Sequence, residues 1–484
     1  MPATTDKLPL LPPSPVKRSS APRSGCCHGC RDELWAAKLM YVAFAAGQSA
    51  LFNFLPVFYQ HTAQFSKLQI SVLQAVPCVC SMLAPPLWGA IADQLHRHRA
   101  VHVLCIVTGA LLLYGVQFCR RFDLTVLLVA LGNFQTAPSG SLLDHAVLDL
   151  ISKIGGEYGK QRLFGAVGYG AGAYVTGLIV AAAGVAAAFD VSLVLSLSSL
   201  LVLRQIPAME FYEEERQDQF EATSTLEQGG DNPKAMRRVP SFSQGVRLLC
   251  QQRDVLVLLV VVFLMGLMFG VLSSFLTLNL YNLSHGDANV IGIAIMCETA
   301  SELPAFFFSQ QIIHRLGTVN VLLVSIAGYA LRLTFYAFMT NAWTAIPFEF
   351  LHGVTFGLAW AACTQYIYAS APRGCEGTVM GLLNAVQSGL GRGAGTLIGG
   401  FFYEHYGART MWLVADLGVP LSLAGVAAFA WLKDQSDEVE MEIDSEIFES
   451  AELFSPHIAA PQPLYTPRQG DHHVQRSMEY TSVN

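Results

Sequence analysis

Apolar and polar residues in this chain are separated into long blocks and do not alternate. From about residue 36 onward, apolar runs follow one another with brief polar interruptions. A helix needs about 20 apolar residues to cross the hydrocarbon core of a bilayer. Read with that window, the pattern predicts twelve segments: 36–60, 68–91, 100–118, 124–150, 163–184, 187–204, 254–281, 288–313, 319–339, 342–369, 377–403 and 408–432. The connections are short except for the polar, charged stretch 205–253. The expected organisation is a disordered tail (1–34), a six-helix bundle (35–204), a linker (205–253), a second six-helix bundle (254–432) and a disordered tail (433–484). The fold class is therefore an all-α membrane protein of twelve transmembrane helices in two pseudo-symmetric six-helix bundles. A repeat of this kind is a common transporter plan. "GAIADQLHRHR" after the second segment and "SQQIIHRLGTV" after the eighth occupy the same place in their halves.

Composition supports a membrane location. Of 484 residues, 52% are hydrophobic and 13% charged, against about 25% charged in an average soluble domain. Mean hydropathy is +0.42. A soluble protein of this size would lack the charge to cover its surface, whereas a lipid-facing surface needs none. The net charge of −7 comes largely from "EFYEEERQDQFE" and "KDQSDEVEMEIDSEIFESAE", and it suggests no nucleic-acid partner. The first 34 residues have no apolar core of a cleavable signal, so the first apolar segment is expected to direct insertion. The eleven cysteines show no disulfide framework; Cys78, Cys80, Cys105, Cys297 and Cys363 lie in apolar segments. "CCHGC" (Cys26, Cys27, His28, Cys30) is too crowded for one tetrahedral metal ion. Palmitoylation beside the first membrane helix is the preferred reading, and plain solvated thiols are the simpler alternative.

Orientation follows from the basic residues, which favour the cytoplasmic side. With both termini inside, only Lys67, Arg120, Arg121 and Arg409 of the 29 Lys and Arg fall on exterior loops. Lys38, Arg332 and Arg392 lie within segments. The sequon "NLS" at Asn282 then faces the exterior, close to the membrane. "DKLPLL" and "YTSV" have the form of sorting signals, and plasma membrane and endomembranes both remain open.

Ionisable residues within membrane spans are costly and normally face the bundle interior. Asp144 and Arg162 come from neighbouring segments, with Tyr169 two turns beyond Arg162. Arg next to an aromatic face suits a polar solute with a ring, and a structural ion pair is the plain alternative. Arg332 needs a partner from another segment, and Glu298, Glu302 and Glu349 are available. Glu298 and Glu302, four apart, share a helix face near Pro304. Glu302 then either carries a proton or bonds backbone freed by the proline. Glu349 and His352 in "PFEFLHGVTFG" share a face with Phe356 and Trp360. His352 suits solute binding or proton relay, or else a neutral imidazole bonded to a carbonyl. Glu349 carries protons or caps the helix after Pro347. Gly389, Gly391, Gly393 and Gly395 allow close packing, and Arg392 among them reads better as structural. Asn53, Gln74, Asn133, Gln135, Asn384 and Gln387 are candidate cavity liners.

Several motifs resemble known transporters. Gly89, Asp93 and Arg97 in "GAIADQLHRHR" match the loop signature of the major facilitator superfamily, except that His96 stands where a glycine is usual. The resemblance implies a conformational gate there: Gly89 for close helix approach, and Asp93 pairing with an Arg or a helix end. "LLDHAVLDLISKIGGEYGKQRLFGAVGYG" resembles the lactose-permease-like proton symporters, with Asp144, Arg162 and Tyr169 at that family's spacings. "HRLG" at 314–317, Arg332 and His352 continue the resemblance. "FLHGVTFGLAWAA" and "GLGRGAGTLIGGFFYEHYGART" look like the eukaryotic major-facilitator-like branch, which has many orphan members. Two positions depart from the pattern. Thr355 stands where the lactose family keeps its proton-bearing carboxylate, and Tyr169 where it keeps a sugar-stacking Trp.

These features imply the major facilitator fold and a secondary active transporter of a small polar organic solute, sugar- or nucleoside-like. It would work by alternating access with H+ symport. Asp144, Arg162, Tyr169 and His352 would bind the solute, and Glu302, Arg332 and Glu349 would couple protons. The alternative is a non-transporting receptor on the same fold. No phosphate loop, metal-ligand spacing or nucleophile elbow stands in a credible context. No enzyme activity, cofactor or metal is therefore expected, and the protein is expected to act as a monomer in the lipid bilayer.

Overall fold

The computed structural model describes residues 28–154, 158–206, 252–371 and 376–435. Cys26 and Cys27 of "CCHGC", the "DKLPLL" and "YTSV" strings, and linker residues 207–251 lie outside them. The described residues are helical. The first half holds α1 (His28–Phe52), α2 (Leu55–His61), α3 (Lys67–Leu95), α4 (His98–Gly115), α5 (Phe122–Ile154), α6 (Tyr158–Ala183) and α7 (Ala187–Leu203). The second holds α8 (Arg253–Leu283), α9 (Asn289–Phe338), α10 (Ile346–Glu349), α11 (Ala359–Ala369), α12 (Glu376–Asn384) and α13 (Arg392–Asp416), followed by helical residues from 418. Nine described helices are long and apolar enough to cross a membrane, and α7 is a shorter apolar helix. Two of the nine each contain two rods: α9 breaks at Gly317 and α13 at Gly407. This is consistent with twelve spans.

Local sequence explains the breaks. Ser66 accepts a hydrogen bond from the Gln69 amide, and the Gln69 side chain accepts from the Ser66 amide, which starts α3 with a capping box. Gly317 (φ 77°, ψ 157°) and Gly407 (φ 81°, ψ 173°) occupy a backbone region essentially reserved for glycine. The first half has counterparts at both places. His96 (φ 51°) follows the second segment as Gly317 follows the eighth, and Gly184 (φ 89°) follows the fifth as Gly407 follows the eleventh. A positive-φ joint thus recurs at matched places where the sequence has diverged, although ψ differs between His96 (30°) and Gly317 (157°).

The burial pattern is inverted relative to a soluble protein. Phe307 is 74% exposed and Val194 65%, whereas Arg332 is 1% exposed and Glu349 0%. Charges face inward and large apolar side chains outward, as lipid requires. The protein is an integral, multi-pass membrane protein.

The same packing device appears in each half. In the first, α6 meets α1 where a Cβ on Gly168 would strike Val42 backbone at 2.5 Å and one on Gly172 would strike Ala46 at 2.6 Å. In the second, a Cβ on Gly391 would strike the Phe263 carbonyl on α8 at 2.8 Å, and one on Gly395 would strike the Leu267 backbone. Small residues let helix backbones touch in membranes, where dispersion contacts drive association. The halves meet through α3 with α13 (Gly400 against Ser71) and α6 with α9 (Gly177 against Gly292, Gly170 against Thr299). At the end of the bundle away from α1's start, polar contacts join them. His61 Nε2 lies 2.8 Å from Asn282 Oδ1, Asn282 donates to Gln60 Oε1 at 3.4 Å, and the Lys67 amide donates to Glu404 at 2.6 Å.

Candidate functional site

A cavity of about 400 Å³ lies between the halves. Phe52, Asn53 and Tyr169 line it from the first half; Phe269, Ser273, Glu298, Glu302, Arg332, His352, Phe356 and Arg392 line it from the second.

Helix irregularities position its side chains. The predicted segment 342–369 is not one smooth helix. A 3₁₀ turn (Ala342–Ala345) and α10 lead into a π turn (Gly353–Leu358) before α11. Such widened turns are frequent at functional sites. His352 directly precedes this one. The turn packs tightly on α9: the Gly353 amide donates to Ser301 Oγ at 2.9 Å, and a Cβ at Gly353 would collide with the Ser301 carbonyl. A second π turn (Ala385–Gly391) leads into Arg392.

Arg332 and His352 form one network. Arg332 Nη2 pairs with Glu349 Oε2 at 2.7 Å, and Tyr336 donates its hydroxyl proton to Glu349 Oε1. Arg332 Nε donates to the Tyr336 hydroxyl at 3.3 Å. Arg332 Nη1 has two acceptors in reach, Thr355 Oγ1 at 3.1 Å and His352 Nδ1 at 3.2 Å. His352 is held between two carboxylates, with Nδ1 2.6 Å from Glu298 Oε1 and Nε2 2.9 Å from Glu302 Oε1. A neutral imidazole has one N–H and can donate to only one of them. Both contacts can be hydrogen bonds at once only with one extra proton in the triad, either as an imidazolium between two carboxylates or as a neutral imidazole with a protonated carboxyl. Phe356 stacks on His352 at 5.4 Å and on Phe269 at 4.9 Å, forming an aromatic shelf across the cavity.

The remaining sequence candidates fall in different places. Tyr169 lines the cavity and donates to Asn53 Oδ1 at 3.4 Å. Arg162 pairs with Asp144 at 2.8 Å, with Tyr41 donating to Asp144 at 2.6 Å and Arg162 donating to the Tyr158 hydroxyl at 2.7 Å. That cluster stands about one turn of α6 before the cavity-lining Ala166 and is not part of the cavity wall. Asp93 pairs with His98 at 2.7 Å, a residue of its own half, and not with Arg97. A Cβ at Gly89 would meet nothing within 4 Å, so no helix presses on it in this state. Among the polar candidates Asn53 lines the main cavity, and Asn133 lines a smaller one with Gln48 and Ser139. Gln74, Gln135, Asn384 and Gln387 line neither.

Sequence reasoning missed Tyr336, Phe52, Phe269 and Ser273. Tyr336 had a usable signal, since it follows Arg332 by one helical turn.

The family model MFS_1 like family matches residues 34–414, most of the chain and all of the cavity wall. The chain belongs to this family. It is a major facilitator superfamily transporter, built for secondary transport of small solutes. It is similar to a maltose permease of Geobacillus stearothermophilus, 28% identical over 383 residues, covering 78% of this chain and 88% of that protein. A mouse major facilitator superfamily domain-containing protein 6-like is 26% identical over 129 residues, 26% of this chain and 22% of that protein. The fold is similar to the crystal structure of the nucleoside transporter NupG, with TM-score 0.67 and 15% identity over 83% of this chain and 99% of that one. Within this family frame, the cavity between the halves is the place for a solute, since such folds bind at the interface of their repeats.

Proposed function

We propose that the protein is a proton-coupled symporter of a sugar- or nucleoside-like solute, working by alternating access. The observation that carries this reading is His352 held between Glu298 and Glu302 on the cavity wall, with the Arg332–Glu349 pair behind it. A proton shared by that triad sits where a solute would touch it. When His352 Nδ1 carries a proton it no longer accepts from Arg332, and Thr355 Oγ1 takes that bond instead. Thr355 thus serves the cycle without titrating. Solute hydroxyls bound to the exposed edges of Glu298 and Glu302 would favour one protonation state of the triad, which links solute binding to proton uptake. Tyr169 and Phe356 offer ring faces for stacking. The Asp144–Arg162 pair, one turn away, would meet the solute on its way in or out.

The Lys and Arg distribution supports cytoplasmic termini. With that orientation the polar contacts among His61, Asn282, Lys67 and Glu404 close the exterior end, and the arrangement is inward-facing. Asp93 and Arg97 would then engage when the cytoplasmic end closes. The test is uptake of labelled maltose and uridine by purified protein in proteoliposomes, with and without an imposed inward proton gradient. Accumulation above equilibrium only with the gradient is expected. Equal uptake in both would leave a uniporter.

A further inference from the structure

We propose that Arg392 anchors a carboxylate on the transported solute, so that the cavity prefers ring-bearing organic acids of the sugar-acid kind over their neutral counterparts. This rests on the transporter reading above and assigns the charge of its solute. The two arginines of the cavity are in opposite situations. Arg332 is fully engaged by Glu349, Tyr336, His352 and Thr355. Arg392 donates through Nε to Ser273 Oγ at 3.1 Å and packs over the rings of Phe52 (5.1 Å) and Phe269 (5.4 Å). No ion pair within 4 Å is formed by it among the described residues, and Glu298 and Glu302 are turned to His352.

The guanidinium is placed there by its backbone. The second π turn ends on Arg392, and Gly270 of α8 lies directly against the Arg392 backbone. A purely structural arginine in a span would be expected to find a carboxylate or several carbonyls, because an unpaired charge is costly there. Arg392 instead lines the cavity, braced by rings that hold the planar fork without consuming its donors. That fork matches a carboxylate with two parallel hydrogen bonds. Phe356, stacked on Phe269, also stacks on His352 and so stands beside Glu298 and Glu302, which accept hydroxyl donors and repel a second anion. A ring lying on the shelf would thus place a carboxylate at Arg392 and hydroxyls at the glutamates. A cavity of about 400 Å³ is within the usual size for such a ligand.

The test compares uptake of labelled glucuronate, its methyl ester, glucose and maltose by the full-length protein in proteoliposomes, for wild type, Arg392→Lys and Arg392→Gln. For wild type, the KM for glucuronate should be at least tenfold below that for the ester. Arg392→Gln should raise the glucuronate KM tenfold or more, and Arg392→Lys should fall between. An ester handled as well as the acid, or an unchanged glucuronate KM in Arg392→Gln, would overturn the proposal. If Arg392→Gln does not fold, the wild-type acid-to-ester ratio decides alone. Uptake of glucose or maltose without glucuronate would remove the acid assignment and leave the transporter reading standing. Uptake of none of the four would remove both.

Discussion

At the residue scale, the buried pair Arg332–Glu349 and the triad at His352 do different work, and substitution should separate them. Glu349 is fully buried against Arg332. Removing one partner strands a charge, at a cost of about 3–5 kcal/mol, whereas replacing both with apolar residues is far milder. Glu349→Gln should therefore lower the melting temperature of purified protein sharply, and Arg332→Met with Glu349→Leu should recover most of the loss. A double variant as unstable as the single one would show that the pair is not the stabilising unit. Glu302 is partly exposed to the cavity, and its loss strands no buried cation. Glu302→Gln should abolish gradient-driven accumulation while preserving solute exchange across the membrane, because exchange needs no net proton release. Loss of both in a folded variant would place Glu302 in solute binding instead. The candidates themselves were legible because a charge in an apolar run stands out. Their pairing was not legible. Nothing in "PFEFLHGVTFG" says that Glu349 turns to Arg332 while His352 turns to Glu298 and Glu302. That division goes with a break in the helix: α10 ends at Glu349, and turn residues Phe350 and Leu351 separate it from His352.

At the element scale, apolar length predicts spans well, because the hydrocarbon thickness sets it. It does not predict how a span is broken internally. The joints obey a different chemistry, and glycine substitutions should sort them into two kinds. A Cβ at Gly317 or Gly407 would meet no atom within 4 Å, so Gly317→Ala and Gly407→Ala carry only the backbone cost. That cost is about 1–3 kcal/mol each. Gly353 has an ordinary backbone angle, but its Cβ would collide with the Ser301 carbonyl of α9. Gly353→Ala should push the π turn off α9 and pull His352 from Glu302. All three should lower the melting temperature, but only Gly353→Ala should also impair gradient-driven uptake in the folded fraction. Impaired coupling in Gly407→Ala would tie the outer joint to the proton pathway, against this assignment.

At the scale of the whole molecule, the two halves repeat the same devices: glycine contacts between the first and fifth spans, and left-handed joints after the second and fifth. A repeat of that kind can rock about its interface if one end opens as the other closes. The hydrogen bonds that hold the exterior end together in the proposed orientation centre on Asn282, which reaches His61 and Gln60. Gly400 on α13 lies directly against Ser71 on α3 near the same end. A bulky side chain there cannot be accommodated without parting the helices, whereas the opposite end loses nothing by it. Gly400→Leu should therefore shift the population toward the state open to the exterior. The reporter is a cysteine placed at Ala45, a cavity-lining position with no polar role in the network. An impermeant maleimide added from outside should label Ala45→Cys slowly above the parent background, and several-fold faster when Gly400→Leu is also present. Asn282→Ala, which only removes hydrogen bonds, should act in the same direction and more weakly. Unchanged labelling with the wedge in place would mean that the α3–α13 contact is a fixed pivot, and the opening would then have to run between α6 and α9.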